Sequence, residues 1–270
     1  MEGPYPALRG ILRDLGPCLV AFSGGVDSTF LLKVAHDVLG DGVTAVTAVS
    51  PSLAATERQD AEDLARLVGA RHLLVPTGEL DDPRYVRNDG ARCYYCKSEL
   101  FRVLRALLAS AGGGTIIYGA ITDDLGDDRP GMRAAAESGV RAPLIEAGLT
   151  KAMIRTLSRG LGLPTWNKPA MACLASRIPR LVPVTRDDLL RVERAEAAVK
   201  ALGYRQVRVR LQGRDARIEL DHDGLLRSTL PTERRQLILA VRAAGFLQVV
   251  VDPTGYRPGG RPAAPPAPIM

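Results

Sequence analysis

Residues 23–28 read Ser-Gly-Gly-Val-Asp-Ser, and five of those six residues have a task they could perform around a phosphate. Gly24 and Gly25 lack Cβ atoms, so the backbone can turn tightly and bring its N–H groups against anionic oxygens. Ser23 and Ser28 add hydroxyl donors. Asp27 cannot favour an anion directly, so its expected task is to hold Mg²⁺ or to orient the loop. The run follows an apolar segment and precedes a helical pattern, which adds the positive end of a helix dipole to the cradle. An ordinary Gly-rich turn would share the two glycines. The combination of residue types in this context favours a phosphate site, with Gly119 as a further candidate at the end of Thr115–Gly119.

No GxxxxGK[ST] run is present, so this is not a Walker A loop. SGGVDS instead resembles the PP-loop of the ATP pyrophosphatases, a resemblance that implies cleavage of ATP between its α and β phosphates and adenylation of an acyl or amide oxygen. A second acidic segment, Ile121–Gly131, carries Asp123, Asp124, Asp127 and Asp128. Ligands in open α/β sheets bind at the carboxyl ends of strands, which makes Asp123, Asp124 and Asp127 candidate Mg²⁺ ligands. A solvated acidic loop accounts for any one of them equally well.

Cys93 and Cys96 lie in RCYYCK, in an expected polar loop, and Cys173 lies in MACLASR. A CxxC alone is compatible with a redox pair, half a zinc site or two unrelated loop thiols. Only His36, His72 and His222 could complete a zinc site, and none stands in ligand spacing with the cysteines. Three thiolates suit a 4Fe-4S cluster with one open iron, which could carry a hydrosulfide, a nucleophile matched to an adenylated carboxylate. On the residues alone, cluster and zinc remain level. Cys18 begins an apolar strand and reads as core.

In QVRVRL, Val207, Val209 and Leu211 face one side of a strand while Arg208 and Arg210 face the other. Two guanidiniums at that spacing make a bidentate phosphate clamp or an exposed sheet face. Arg257 in TGYRPGG carries the same ambiguity.

The elements that position these groups alternate. Cys18–Phe22, Val43–Val49, HLLVP and Thr115–Gly119 read as strands; helical patterns follow the first, open at a Thr56/Gln59 capping box, and run near Glu99–Leu108 and over Thr150–Gly160. Strands alternating with helices imply an α/β fold with a parallel sheet, here a Rossmann-like domain over residues 1–165. A Pro-rich connector, 166–184, carries Cys173. A smaller α+β domain, 185–257, opens at a Thr185/Asp188 capping box and contains VRVRL, ARIEL, a helix after Pro231 and FLQVVVD. The tail 258–270 is rich in Pro, Gly and Ala and is expected to be disordered.

The 270 residues are 46 % hydrophobic and carry a net charge of +6, from 36 basic and 30 acidic side chains. This permits anionic ligands without indicating nucleic acid, since no basic block is interleaved with aromatics. Four cysteines are too few for a disulfide scaffold. No apolar run reaches membrane-spanning length, so a cytoplasmic protein without a membrane partner is expected.

Taken in order, SGGVDS, YGAITDDLGDDRPG, TWNKPAMACLASR, VRVR and GYRPGG are similar to the LarE family of sulfur transferases, over nearly the whole chain. The resemblance implies a Rossmann-like PP-loop domain and adenylation of pyridinium-biscarboxylic acid mononucleotide. Sulfur insertion follows, for the nickel-pincer cofactor of lactate racemase, with AMP and pyrophosphate released in a trimer-based homo-oligomer. It implies catalytic roles for Cys173 and Asp27, and a substrate site of Ser176, Arg177, Glu196, Arg208, Arg210 and Arg257. Best-known members sacrifice the sulfur of one connector cysteine, but Ala172 stands at that position here, with Cys173 beside it. The chain is similar instead to a branch with CxxC plus CLASR that binds a 4Fe-4S cluster through Cys93, Cys96 and Cys173 and draws on external sulfide. The alternative in the same superfamily, a tRNA thiolase, would bring an RNA-binding appendage or zinc-ribbon cysteines, and neither is visible.

Overall fold

Four short runs rich in Val, Ile, Leu and Ala become one parallel sheet: β1 (Cys18–Ala21), β2 (Val43–Val49), β3 (Arg71–Pro76) and β4 (Thr115–Tyr118). The order is β3-β2-β1-β4, with every pairing parallel and Cys18 in register with both Val43 and Thr115. The computed structural model describes residues 3–110, 112–126 and 129–256. Asp127, Arg257 and the expected tail 258–270 lie outside them.

Parallel strands need crossovers, and helices supply them. In chain order these are α1 (Pro4–Leu15), α2 (Val26–Leu39), α3 (Ala55–Val68), the single turn α4 (Pro83–Val86), α5 (Arg92–Ser110), α6 (Pro130–Glu137), the single turn α7 (Pro143–Glu146) and α8 (Lys151–Gly160). Successive residues of each strand face opposite sides. Cys18, Val20, Val43, Ala45 and Ile117 pack in one core with residues of α1, α2, α3 and α8. Leu19, Val46, Val75 and Ile116 pack in another with α5 and α6. Both faces are therefore covered, which is why the strands read as continuous apolar runs rather than as alternation.

Two details depart from the sequence reading. The Thr56/Gln59 capping box does not form, because α3 starts two residues early with Ala54 as its uncapped N-cap and Thr56 exposed inside it. The polar loop expected around Cys93 and Cys96 is instead the first turn of α5, which begins at Arg92.

The chain divides into two bodies. The first runs to Tyr85 and resumes over Gly90–Met171; the second takes Val86–Asp89 and the chain from Ala172 onward. The division at Met171 falls inside the segment expected as a connector. Asn88 joins the second body through its side-chain amide, which donates to the carbonyls of Ile178, Pro179 and Val182 at 3.4, 2.8 and 3.0 Å.

In the second body α9 (Arg186–Ala201) precedes the hairpin of β5 (Val207–Gln212) and β6 (Asp215–Leu220). Next come α10 (His222–Ser228), α11 (Pro231–Ala243) and β7 (Val249–Val251), which pairs parallel to β6. The Thr185 cap forms, its hydroxyl accepting from the Asp188 N–H at 3.1 Å, but the expected capping box is only half made, since the Asp188 carboxylate accepts from the Thr185 hydroxyl at 2.7 Å rather than from its backbone N–H. The short helix α10 has its own cap, Asp221 accepting from Gly224 N–H at 2.9 Å.

The two capping boxes give a paired test. Thr185→Ala should lower stability by about 1 kcal/mol. Thr56→Ala, with no cap bond to lose, should change it by less than about 0.5 kcal/mol. Denaturant melts of both variants measure the contrast.

Candidate functional site

β1 ends at Ala21, and the chain must turn there from an extended to a helical path. Gly24 makes the turn with φ of +68°, a region that strains residues with a Cβ, and an added Cβ would lie 3.3 Å from Ala61 Cα. Gly25 caps α2 in extended conformation without a side-chain cap bond, so the first turn of α2 is left to a ligand or solvent. The Ser23 and Ser28 hydroxyls are 3.1 Å apart, and Ser28 also donates to Gly25 O at 3.3 Å. Gly119 follows β4 next to this turn. A Cβ there would sit 2.9 Å from Ser28 N and 3.1 Å from Ser28 Cα. The closeness of β4 to the loop thus depends on glycine at 119, and Ser23, Gly24, Gly25, Asp27, Ser28 and Gly119 all belong to one locale.

Asp27, on the first turn of α2, forms an ion pair that the sequence reading missed. Lys151 Nζ lies 2.6 and 2.9 Å from its two carboxylate oxygens. Burial pushes the Asp27 carboxyl above its ordinary range; the hydrogen bond and charge of Lys151 pull it down, and the Asp124 charge raises it again. A second lysine, Lys168, reaches the same loop, donating to Gly24 O at 3.2 Å and to Asp60 at 2.8 Å. Arg155 fixes the backbone behind it, donating to Trp166 O at 2.7 Å and Lys168 O at 3.1 Å.

The acidic candidates already have protein partners. Asp123 accepts from the Lys151 backbone N–H at 2.9 Å and so caps α8. Asp124 accepts from the Ile121 N–H at 3.0 Å and pairs with Arg129 at 2.5 Å.

In the second body the Arg face of β5 is not a solvated sheet face. Arg208 is buried, as are Arg217 and Glu219 of β6. The antiparallel register sets Arg208 opposite Glu219 and Arg210 opposite Arg217. Arg210 pairs with Glu219 at 2.8 Å, while Arg217 stands 3.6 Å from Glu219 and 3.5 Å from Asp252. The Nε atoms of Arg210 and Arg217 are buried without a hydrogen-bond partner. Arg210 and Arg217 thus share Glu219, with Asp252 also facing Arg217, in a largely buried setting. The alternation in ARIEL carries Arg217 and Glu219 on one face, a signal for this cluster that the strand pattern alone does not bring out.

Arg177 and Glu196, both expected at the substrate, are buried against one another, with Nε to Oε1 at 2.8 Å and the second N–H to Oε2 at 2.9 Å. Glu196 also accepts from the Val209 N–H at 2.9 Å. Arg177 donates to the carbonyls of Ala172 and Cys173 and to the Ser176 hydroxyl. Arg210 donates to Ser176 O at 2.9 Å. These bonds hold the turn Leu174–Arg177 that follows Cys173, whose own side chain is exposed.

Cys93 is exposed and Cys96 partly so; three residues apart on α5, they share a helix face. Cys18 differs, since burial pushes its thiol up to about 12. Among the described residues no group of three His, Cys, Asp or Glu side chains is assembled as a metal site, and no helix is long and apolar enough to cross a membrane.

No protein-family model matches the chain. It is 38 % identical over 255 residues, 93 % of its length and 91 % of the relative's, to pyridinium-3,5-bisthiocarboxylic acid mononucleotide synthase of Lactiplantibacillus plantarum. It is 44 % identical over 259 residues to an uncharacterized protein of Synechocystis, covering 96 % of this chain and 97 % of that one. A protein of Methanocaldococcus jannaschii, also uncharacterized, is 24 % identical over 239 residues.

Removing one partner of a buried ion pair leaves an uncompensated charge. Glu196→Ala should therefore cost about 3–5 kcal/mol, measured by denaturant unfolding. Thiol exposure gives a second test: iodoacetamide at mildly alkaline pH should modify Cys93 and Cys173 in the native protein and reach Cys18 only after unfolding, as read by peptide mass spectrometry.

Proposed function

The chain belongs to the LarE family, and from that footing we propose that it is an ATP-dependent sulfur transferase acting on pyridinium-biscarboxylic acid mononucleotide. The observation carrying the proposal is the SGGVDS turn at the carboxyl end of a central parallel strand, where Gly24 and Gly119 exclude side chains from the space around the loop. Ser23, Gly24, Gly25 and Ser28 hold the ATP phosphates. Asp27 would hold Mg²⁺, which would neutralise phosphate charge, with Asp123, Asp124 and Asp127 of the acidic segment as further candidates. A substrate carboxylate oxygen attacks the α phosphorus, the bond to the bridging oxygen breaks, and pyrophosphate leaves with that electron pair. Sulfur then replaces AMP at the acyl carbon, giving the thiocarboxylate.

The mononucleotide's phosphate suits the adjacent guanidiniums of Arg208 and Arg210 on one face of β5, with Arg257 as a further ligand, and Ser176 lies in the turn that Arg210 holds. Arg177 and Glu196 contribute by fixing that turn. The sulfur supply proposed is a 4Fe-4S cluster on Cys93, Cys96 and Cys173. The donor set is compatible: all three are free thiols, soft donors suited to iron, and two of them share a helix face. When bound, such a cluster would present sulfide as the nucleophile. Cys173 is held by its backbone carbonyl while its thiol stays free and exposed. A trimer-based oligomer and a cytoplasmic setting complete the proposal.

Anaerobic protein incubated with ATP, Mg²⁺, sulfide and the mononucleotide should form AMP, pyrophosphate and product whose mass reflects exchange of oxygen for sulfur. Asp27→Asn should reduce AMP formation by about a hundredfold or more. Cys173→Ala should abolish thiolation while sparing AMP formation. Full thiolation in that variant would remove Cys173 from the chemistry, and product without AMP would remove adenylation.

A further inference from the structure

Among the described residues only two other than glycine have left-handed backbone, Asn88 at φ +56° and Leu181 at φ +66°. They are bonded to one another, the Leu181 N–H donating to Asn88 O at 3.0 Å. Asparagine enters that region readily, whereas leucine seldom does, and such strain persists only where the surroundings over-determine it. Here they do. The buried Asn88 amide donates to the carbonyls of Ile178, Pro179 and Val182, and the Val184 N–H donates to Val86 O at 2.9 Å. No residue from 178 to 184 lies in a helix or strand, so these carbonyls have no ladder of their own and take a donor 90 to 94 positions away.

The held segment continues the turn Leu174–Arg177, whose near end is fixed by Arg177 on the carbonyls of Ala172 and Cys173 and by Arg210 on Ser176 O. Cys173 and Ser176 thus sit on a stretch of chain pinned at both ends. To supply the second pin, the chain leaves the first body after Tyr85 and rejoins it at Gly90, two residues before α5. A loop confined to the first body would join Tyr85 to Arg92 without burying an asparagine. We propose that Asn88 is a positioning residue for sulfur transfer: through the carbonyls of Ile178, Pro179 and Val182 it fixes the backbone that follows Cys173 and Ser176, and so sets where those side chains meet the activated carboxylate. The inference rests on the roles proposed above for Cys173 and Ser176. The clamp is made within the second body, whereas the SGGVDS turn belongs to the first, so adenylation and sulfur transfer should respond differently to its loss.

Asn88→Ala would add backbone strain to the loss of the amide, so the variant to make is Asn88→Gly, which accepts the positive φ and deletes only the donor. In the full-length variant, hydrogen exchange read by mass spectrometry should quicken in peptides covering residues 178–184, while α9 and β5 keep the wild-type rate. Given ATP, Mg²⁺, sulfide and saturating mononucleotide, the anaerobically reconstituted variant should form AMP within about twofold of wild type, but thiocarboxylate formed per AMP should fall about tenfold or more, the scale of a misplaced reacting group. Equal losses of AMP and thiocarboxylate would overturn the inference, as would an unchanged ratio with quickened exchange, since Asn88 would then serve the fold alone. Unchanged exchange overturns it as well, because the amide would not be holding the segment. A wild type that forms AMP without thiocarboxylate would sink the sulfur-transfer reading and this inference with it, a failure seen before any variant is compared.

Discussion

A half-buried carboxylate at the open end of a parallel sheet must be balanced, and the first body is organised around that requirement at Asp27. Burial raises the cost of its charge, and Lys151 meets that cost at hydrogen-bond distance. For the two to meet, α8 has to begin beside the first turn of α2, and Asp123, just after β4, caps the Lys151 N–H there. The end of β4 has to approach the first turn of α2 as well, which Gly119 allows by having no Cβ. Strand order, the small residue at 119, the capping aspartate and the lysine are four conditions of one arrangement.

The second body solves a related problem with opposite charge. A three-stranded sheet covered on one face by α9 and α11 would ordinarily leave the other to water, with alternating polar residues at modest cost. Here Arg208, Arg217 and Glu219 of that face are buried, and Asp252 after β7 is buried beside them. Arginines opposite one another on a covered face, as Arg210 and Arg217 are, are tolerated only with shared counter-charges, which Glu219 and Asp252 provide. The nearby Arg177–Glu196 pair is saturated by comparison, with both guanidinium edges and both carboxylate oxygens bonded. The Arg177–Glu196 pair therefore serves to build the turn, whereas the arginines of the sheet face divide their counter-charges among themselves.

Much of this was legible beforehand. The continuous apolar runs at Cys18 and Val43 announced a sheet buried on both faces, and SGGVDS announced the turn between strand and helix. Thr185 was readable as a cap because its hydroxyl needed only a local N–H three residues on. Thr56 offered the same local signal and failed, since α3 extended back to Ala55, and no short window can tell which of two starts tertiary packing selects. The polar loop expected at Cys93 failed for a similar reason: RCYYCK lacks a helical apolar stripe of its own, and its helicity comes from continuity with the amphipathic residues Leu100, Phe101 and Leu104.

What stayed hidden were interactions between residues far apart in sequence. Lys151 and Asp27 are separated by 124 positions, Lys168 and Gly24 by 144. Nothing in either segment marks the other, because a lysine at a helix start and a lysine in WNK are each common on a surface. Only the odd sign of Lys151 at an N-terminus was a local clue. The cysteines show the same limit from the other side. Four identical thiols differ by burial alone: Cys18 is raised to about 12 in the core, whereas Cys93 and Cys173 meet solvent. Spacing separated Cys18 from the others only because it began an apolar run, so the chemistry of a residue type was readable just where its neighbours already declared the environment.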